Sequence, residues 1–356
     1  LVDASAAMRR VALEGLARVA EPGDEALAAA VAPLMDDSEA AVRRAAAEAV
    51  AAIAGPGAVV AAAMTRLESQ DPDARLRGLG ALAQLAERCG QEAACAVAAL
   101  LADRDGGVRA AAVAHLAEVA ERGDRCIISD VSALLEHANL QVQEAAVEAL
   151  ARLADRGDTH AVSSAAGRLR HPEAHVRMAG VQALGRLAAR GDKQTMSLLM
   201  TRLKDHDPAV REAAVDSLRG LAELGDGRAI SALKGRLKDA STAVRAAAVI
   251  ALVEVAEPGD GRAVAAAGRC LEDASPEVRQ AAGRALGKAL QQAAQTADAR
   301  SVATLGACLE HADANVRQTA VGAFGQLEDS GRGAAINAVG ARLEHAGEEV
   351  RQAAVA

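Results

Sequence analysis

Residues 210–218 read Val-Arg-Glu-Ala-Ala-Val-Asp-Ser-Leu, and the pattern that they open returns along the whole chain, in most cases after 34 residues. Each copy starts with an apolar residue followed by Arg, and Gln143 is the one departure from Arg among eleven copies. Such internal repetition predicts one supersecondary unit that is used many times. The copies start at Met8, Val42, Ala74, Val108, Val142, Val176, Val210, Val244, Val278, Val316 and Val350.

Each copy begins with an amphipathic helix, which we call helix B. In the copy quoted above, Val210, Val215, Leu218 and Leu221 lie 0, 5, 8 and 11 positions from its start, and this spacing covers one face of an α-helix. Most copies are preceded, three residues earlier, by Asp, Asn or Ser, whose side chains cap helix N-termini. The start of helix B is therefore marked in the sequence as well as its buried face.

A Gly-Asp dipeptide follows helix B in six copies. We expect the Gly to adopt the left-handed conformation just past the end of helix B. We expect the Asp to cap a second helix, called helix A, so that each copy is a helix-turn-helix hairpin. The dipeptides are Gly23-Asp24, Gly123-Asp124, Gly157-Asp158, Gly191-Asp192, Gly225-Asp226 and Gly259-Asp260.

The composition favours a core of small side chains, because 51% of the residues are hydrophobic while Trp and Tyr are absent and Phe occurs once. A single hairpin of Ala, Val and Leu cannot bury its apolar faces, whereas stacked hairpins can. The predicted fold is all-α, a right-handed α-solenoid of about ten helix-turn-helix repeats. We expect one array over residues 1–356, cut from a longer array, since neither end has a polar capping repeat.

The charge balance and the apolar stretches exclude several classes of function. The net charge of −8 and the lack of base-stacking aromatic residues argue against a nucleic-acid groove. The longest uncharged stretch, residues 49–65, is interrupted by Gly55-Pro56-Gly57, so no membrane span is expected. Five dispersed Cys indicate a reducing intracellular compartment, with the cytoplasm favoured and a plastid left open.

The run from Asp207-Pro208 to Gly225-Asp226 resembles HEAT repeats, most closely the short HEAT-like class named after phycobilisome lyases. The resemblance implies that Arg in helix B and Asp in the turn between the helices form a ladder along the stack. An anion-binding track is the alternative interpretation of the Arg row, and hydrogen bonding between repeats is favoured. His137, His171, His311, His345, Ser69 and Gln143 depart from the pattern and are expected to interrupt the ladder. The matching residues are Arg43, Arg109, Arg177, Arg211, Arg245, Arg279 and Arg317, with Asp37, Asp103, Asp205, Asp239 and Asp273.

Two groups of side chains have a chemical interpretation that we weighed and set aside. Histidines one repeat apart are too distant to share a zinc ion, so turn capping is favoured for the His column. Cys270 and Cys308 occupy equivalent positions, and two unlinked thiols are favoured over a redox pair or a tetrapyrrole attachment. We therefore predict no catalytic residue, no cofactor and no metal site.

Two irregularities break the 34-residue spacing. The copy around Gly55-Pro56-Gly57 is two residues short, and residues 287–300 contain four additional residues. The longer irregularity is interpreted as a neutral insertion at a surface turn. The alternative is a bump that contacts a partner through Gln291, Gln292 and Gln295.

The family analogy places helix B on the concave surface, where outward side chains of mixed sign form no dominant patch. We predict a non-catalytic scaffold or adaptor that binds other proteins, within a larger multi-subunit complex. One alternative is a bilin lyase-like subunit or an accessory of a light-harvesting complex. A nucleic-acid-binding array is a third possibility, and the excess of acidic residues argues against it. The predicted partner-binding residues are Glu144, Glu148, Gln182, Glu212, Asp216, Arg219, Arg284 and Lys288.

Overall fold

The computed structural model describes residues 5–84, 90–296, 299–325, 327 and 329–356, and its regular structure in these ranges is entirely helical. The predicted all-α solenoid class is confirmed. The B helices are α1 (Ala6–Val19), α3 (Ala40–Ala54), α5 (Pro72–Gln84), α7 (Gly106–Val119), α9 (Leu140–Leu153), α11 (Ala174–Leu187), α13 (Pro208–Leu221), α15 (Thr242–Val255), α17 (Pro276–Thr296), α19 (Ala314–Phe324) and α21 (Glu348–Val355). The A helices are α2 (Glu25–Val31), α4 (Pro56–Leu67), α6 (Gly90–Ala99), α8 (Arg125–Ala133), α10 (Thr159–Gly167), α12 (Lys193–Arg202), α14 (Gly227–Arg236), α16 (Gly261–Arg269), α18 (Ala299–Cys308) and α20 (Asp329–Leu343).

Helix α13 shows why the repeat pattern folds as it does. The four apolar residues at the repeat positions of this helix are all fully buried. At its start Asp207 accepts hydrogen bonds from the backbone N–H groups of Ala209 and Val210, at 2.8 and 3.3 Å. Pro208 follows at the first helical position, where no N–H is required. The buried face and the N-terminal cap of α13 are thus formed by the residues that the repeat pattern predicts.

The turn from helix B to helix A differs from the prediction. Helix α13 ends at Leu221, and the next residue is in extended conformation, so Gly225 does not directly follow the helix as expected. Gly225 lies later in the turn at a φ of 81°, and its N–H donates to the carbonyl of Val255 in the next repeat, at 2.7 Å. The left-handed conformation of the Gly is confirmed, whereas its position directly past the helix end was wrong, because an extended residue follows the helix first. Asp226 then caps α14 as predicted, with its Oδ1 2.8 Å from the N of Arg228.

The four additional residues lengthen helix B and do not form a surface turn, so that prediction was wrong. Helix α17 has 21 residues, whereas α13 and α15 have 14 each. Leu290, Ala293 and Ala294 continue the buried stripe at helical spacing, and burial of this stripe favours helix over loop. Of the glutamines proposed as a bump, Gln291 and Gln295 are exposed.

The described chain divides into two compact units, residues 1–171 and residues 172–356. The core of the first contains fully buried side chains such as Leu82, Leu116 and Ile127. The core of the second includes Leu286, Leu290 and Leu305. A single array over residues 1–356 stays a prediction. Within the described ranges, no helix combines the length and the apolar character that a membrane crossing needs.

Candidate partner-binding surface

An Arg in one repeat and an Asp in the next form an ion pair at five places. In four of them two Arg nitrogens donate hydrogen bonds to the carboxylate, whereas Arg75 donates one, from Nη2. Arg211 donates from Nε and Nη2 to the two carboxylate oxygens of Asp239, at 2.9 and 2.7 Å. The Asp lies 28 residues after the Arg, in the turn that precedes the next B helix. Paired N–H···O bonds of this kind add geometric specificity as well as energy. The five pairs are Arg9–Asp37, Arg75–Asp103, Arg177–Asp205, Arg211–Asp239 and Arg245–Asp273.

In four of these Arg side chains, Arg75, Arg177, Arg211 and Arg245, the third nitrogen is engaged within its own repeat. Arg211 Nη1 donates to the carbonyls of Asp205 and His206, at 2.9 and 3.0 Å. Each of these four guanidinium groups therefore connects its own turn to the turn of the following repeat. An exposed anion-binding track would need these donors to be free, and they are not.

Four of the predicted ladder arginines keep the carbonyl bonds but lack the Asp partner. Arg43 and Arg279 have no carboxylate partner among the described residues. Arg109 donates to the side-chain oxygen of Gln141, and Arg317 pairs with Glu349 at 2.8 Å. These are places where Ser69 or a histidine occupies the Asp position, as the departures from the repeat pattern suggest.

The histidines of the Asp column act as turn acceptors. The Nδ1 atoms of His137, His311 and His345 each accept a backbone N–H two residues later, at 3.0 to 3.1 Å. The Asp side chains of other repeats accept the equivalent bond, for example Asp239 from the N–H of Ser241. Within the part of the chain that the structure describes, no group of three or more His, Cys, Asp or Glu is arranged to hold a metal ion.

The partners of Asp239 and Asp205 favour the ionised form of these ladder carboxylates. Burial by itself would raise the pKa of Asp239, but hydrogen bonds from Arg211 and from the N–H of Ser241 lower that pKa below its usual value. The pKa of Asp205 is lowered in the same way by Arg177, against the effect of burial. The side chain of Asp239 is only 3% exposed, so this pair is shielded from solvent.

The predicted partner-binding residues lie on the outward side of B helices. Asp216 and Arg219 are exposed on α13, and Arg284 and Lys288 are exposed on α17. Glu212 of α13 is partly buried. Of the remaining three, Glu144 is exposed and Glu148 is partly buried on α9, and Gln182 is partly buried on α11.

The structure brings three of these residues together through a fourth that the sequence analysis missed. Arg219 pairs with Asp216 at 3.4 Å in its own helix and with Glu254 of α15 at 3.7 Å. Lys288 of α17 reaches the same Glu254 at 2.8 Å. This B-face charge cluster, residues 216, 219, 254 and 288, spans three consecutive B helices. One signal was available, because Glu254 is the only acidic residue of α15, in a run that is apolar from Ala246 to Val253.

Two acidic residues at the cluster are held in an unfavourable environment. Burial raises the pKa of Glu212, and the neighbouring charge of Asp216 raises it further. Burial also raises the pKa of Asp216, and Glu254 adds to the effect while Arg219 opposes it. Perturbed carboxylates at a half-exposed position are typical of functional sites, although ion-pair networks also produce them.

The thiols that we considered for redox chemistry are free. Cys270 and Cys308 are both buried and unlinked. Burial raises the pKa of Cys308 to about 11, and burial likewise raises the pKa of Cys270. Thiols with raised pKa are poor nucleophiles at neutral pH.

Sequence comparison matches the family described as HEAT repeats over residues 93–185, 128–219, 167–253, 236–296 and 268–356, which is more than half of the chain. No match is found among curated proteins. Among solved structures, the fold is similar to that of the karyopherin Kap121p bound to the extreme C-terminus of the protein phosphatase Cdc14p. The TM-score is 0.52 at 14% identity, covering 98% of this chain and 43% of that chain. Kap121p by itself gives 0.51 at 13% identity, covering 98% and 42%. This chain thus spans less than half of Kap121p, and at these identities the likeness concerns the fold alone.

Proposed function

The chain belongs to the HEAT-repeat family, and from this premise we propose that it is a non-catalytic scaffold or adaptor that binds other proteins through its B helices. The observation that carries the proposal is the B-face charge cluster. Its charges come from three successive repeats, and its members are exposed or partly buried. A surface of this kind suits a partner that is held by many contacts along the stack.

The electrostatics of the cluster supports binding rather than stability. Exposed ion pairs such as Arg219–Asp216 contribute about 0 to 1 kcal/mol to folding. The raised pKa values of Glu212 and Asp216 show that the folded chain disfavours these charges. A basic side chain of a partner placed against them would relieve this repulsion and gain a favourable ion pair.

The fold relatives support a protein partner. The karyopherin Kap121p has been solved bound to the C-terminus of another protein. We further propose membership of a larger assembly and residence in a reducing intracellular compartment, the latter because Cys95, Cys126, Cys270 and Cys308 are free. The bilin-lyase alternative rests on the repeat subclass alone, and no described side-chain arrangement adds support to it.

The test reverses the charge of two residues on the B face and measures how much partner protein is still captured. The variant E212K/D216K is compared with wild type in quantitative co-purification from the source organism, and circular dichroism checks its folding. E21K/E25K is the matched control, because Glu21 and Glu25 are exposed acids four residues apart on the first repeat. We expect E212K/D216K to lose most of the partner while the control retains it. Equal recovery with all three proteins would remove the B face from consideration.

A further inference from the structure

Residues 172–356 contain a groove between α12 and α14 whose lining has no carboxylate. The groove has a volume of about 730 Å³ and is open to solvent. Lys204, Arg228 and Arg236 contribute positive charge to its lining, and Ser197, Thr201 and Ser231 contribute hydroxyl groups. No other surface described above has charges of one sign only.

The positive lining follows from the composition of the A helices. Helices α12, α14, α16 and α18 contain no Asp or Glu. The surplus of acidic charge lies elsewhere, because residues 1–171 hold 17 Lys and Arg against 25 Asp and Glu, whereas residues 172–356 hold 23 of each. The basic residues of the four helices are Lys193, Arg202, Arg228, Lys234, Arg236, Arg262, Arg269 and Arg300.

Two of the groove cations have no partner among the residues that the structure describes. Lys204 and Arg228 are exposed, and neither forms an ion pair with another described residue. Arg236 is different, since it donates to the carbonyl of Leu203 and to Asp239, at 3.0 and 3.2 Å. The B-face cations Arg219 and Lys288 are likewise paired internally. Lys204 and Arg228 are therefore available to an external anion without breaking an existing bond.

Two acidic side chains that are close to Arg228 in the sequence are engaged in the fold. Asp226 caps α14 by accepting the backbone N–H groups of Arg228 and Ala229, at 2.8 and 2.9 Å. Its charge is balanced in part by the helix N-terminus that it caps. Glu223 packs over Gly191, in the preceding turn, and is absent from the groove lining.

The floor of the groove is apolar and remains open. Met200, Leu203 and Ala232 line it between the two cations. A Cβ added at Gly227 or Gly235 would meet nothing within 4 Å, so both glycines border open space. Apolar surface with a few charged and hydroxyl groups around it is the usual lining of a ligand-binding cleft.

We infer that this groove binds an acidic polypeptide segment of a partner protein. Carboxylates of the segment pair with Lys204 and Arg228, and an apolar side chain between them packs on Met200 and Leu203. Arg228 lies in the first turn of α14, whereas Lys204 follows the end of α12. The A helices of successive repeats run in the same direction, so the cations are offset by about ten helical residues, or roughly 15 Å, along the axis. With about 8–10 Å between adjacent helices, the cations are roughly 18 Å apart. An extended peptide covers that distance with about five residues.

A polypeptide fits this surface better than a nucleic acid does. Recognition of single strands uses aromatic side chains for base stacking, and this chain has no Trp or Tyr. The net charge of −8 also repels a long polyanion, whereas a short acidic segment meets only the local field of the groove. The site lies on A helices and does not rest on the B-face proposal.

The test uses fluorescence anisotropy with the full chain and a labelled peptide carrying two glutamates about five residues apart with leucines between them. A lysine version of the peptide, a short oligothymidylate and vesicles containing phosphatidylserine are the other probes. K204E/R228E is the test variant. R125E/R156E, in residues 1–171, is the control with the same change in charge, because Arg125 and Arg156 are exposed and form no ion pair with another described residue. Because Lys204 and Arg228 are exposed and unpaired, folding of the test variant is expected to be retained and is checked by thermal melting.

We expect the acidic peptide to bind wild type and R125E/R156E equally, and K204E/R228E about tenfold more weakly or not at all. Binding should weaken as salt is added. The inference is overturned if the lysine peptide binds as well as the acidic one, or if K204E/R228E binds the acidic peptide normally. Stronger binding of the oligonucleotide or the vesicles also overturns it, as does self-association of the chain that K204E/R228E abolishes without any peptide binding. Loss of partner by E212K/D216K has no bearing on these results, so the two proposals fail separately.

Discussion

The guanidinium of Arg211 links two repeats, because it donates hydrogen bonds to both carboxylate oxygens of Asp239 and to the carbonyls of its own turn. The Arg side chain is 13% exposed and the Asp side chain 3% exposed. A solvent-shielded, bidentate pair of this kind is costly to break on one side, since the remaining charge stays buried without a partner. The pair therefore couples the stability of neighbouring hairpins.

An Arg–Asp ion pair that the ladder lacks can be introduced by replacing His137. In H137D the new carboxylate replaces the His acceptor for the N–H of Asn139 and lies 28 residues after Arg109, the separation found in the existing pairs. We expect a gain of about 1 kcal/mol in unfolding free energy, measured by urea denaturation. H137N is the matched control, because it keeps the turn acceptor without the charge and should give no such gain. A lower stability for H137D than for H137N would count against the pairing geometry.

The Arg–Asp pairs of the ladder predict how the free energy of unfolding depends on pH. The pKa of Asp239 is lowered in the folded chain by Arg211 and the N–H of Ser241, against the effect of burial. Its ionised form therefore stabilises the fold fully above the unfolded value of about 3.9, and this contribution is lost as the pH falls through the lowered folded pKa. We expect wild type to exceed D239N in unfolding free energy at pH 7 and the difference to shrink below about pH 4. A difference that is constant with pH would contradict this assignment.

The pKa of Glu212 is shifted in the opposite direction from that of Asp239. Burial and the charge of Asp216 raise its pKa in the folded chain. A raised carboxyl pKa means that ionisation opposes folding, so this destabilisation appears as the pH rises through the unfolded value of about 4.3. E212Q should therefore be more stable than wild type by about 0.3 kcal/mol at pH 7, the size of a like-charge repulsion one helical turn apart. The gain should vanish at pH 3, and a loss of stability at neutral pH would show that Glu212 has a structural role.

The turn glycine offers a further comparison. Gly225 has a φ of 81°, and a Cβ there would lie 2.9 Å from Oε1 of Glu257. G225A should lower the unfolding free energy by about 1 to 2 kcal/mol through backbone strain and displacement of that Glu. G220A is the control, since Gly220 is within α13 and a Cβ there meets nothing within 4 Å, and it should be neutral or stabilising by about 0.5 kcal/mol. Equal effects of the two substitutions would exclude a special role for the turn conformation.

Much of the fold follows from periodicity in the sequence. The spacing of Val210, Val215 and Leu218 defines the buried face of α13, and the same spacing leaves Asp216 and Arg219 on the other side of the helix. The separation of Arg211 and Asp239 is likewise a property of the repeat length. Features of this type depend on local geometry that every copy shares.

What the periodicity does not contain is the contact made by a single side chain or the path of an irregular segment. Glu254 joins Arg219 to Lys288 only because three B helices place those atoms side by side, which no spacing within one repeat specifies. The additional residues are helical because Leu290 is buried in the core, and the spacing of the repeats does not show whether such a core is present. The groove between α12 and α14 was missed because the sequence analysis searched for outward residues on B helices.

The claim that neighbouring hairpins stabilise each other is tested most directly by native-state hydrogen exchange of R211A. Asp239 stands in the turn that leads into α15, so loss of the Arg211 side chain weakens both repeats. We expect faster exchange in α13 and in α15, with an effect of about 2 to 4 kcal/mol on the opening free energy, while R228A exchanges like wild type. Faster exchange confined to the turn around Arg211, with α15 unchanged, would contradict the account.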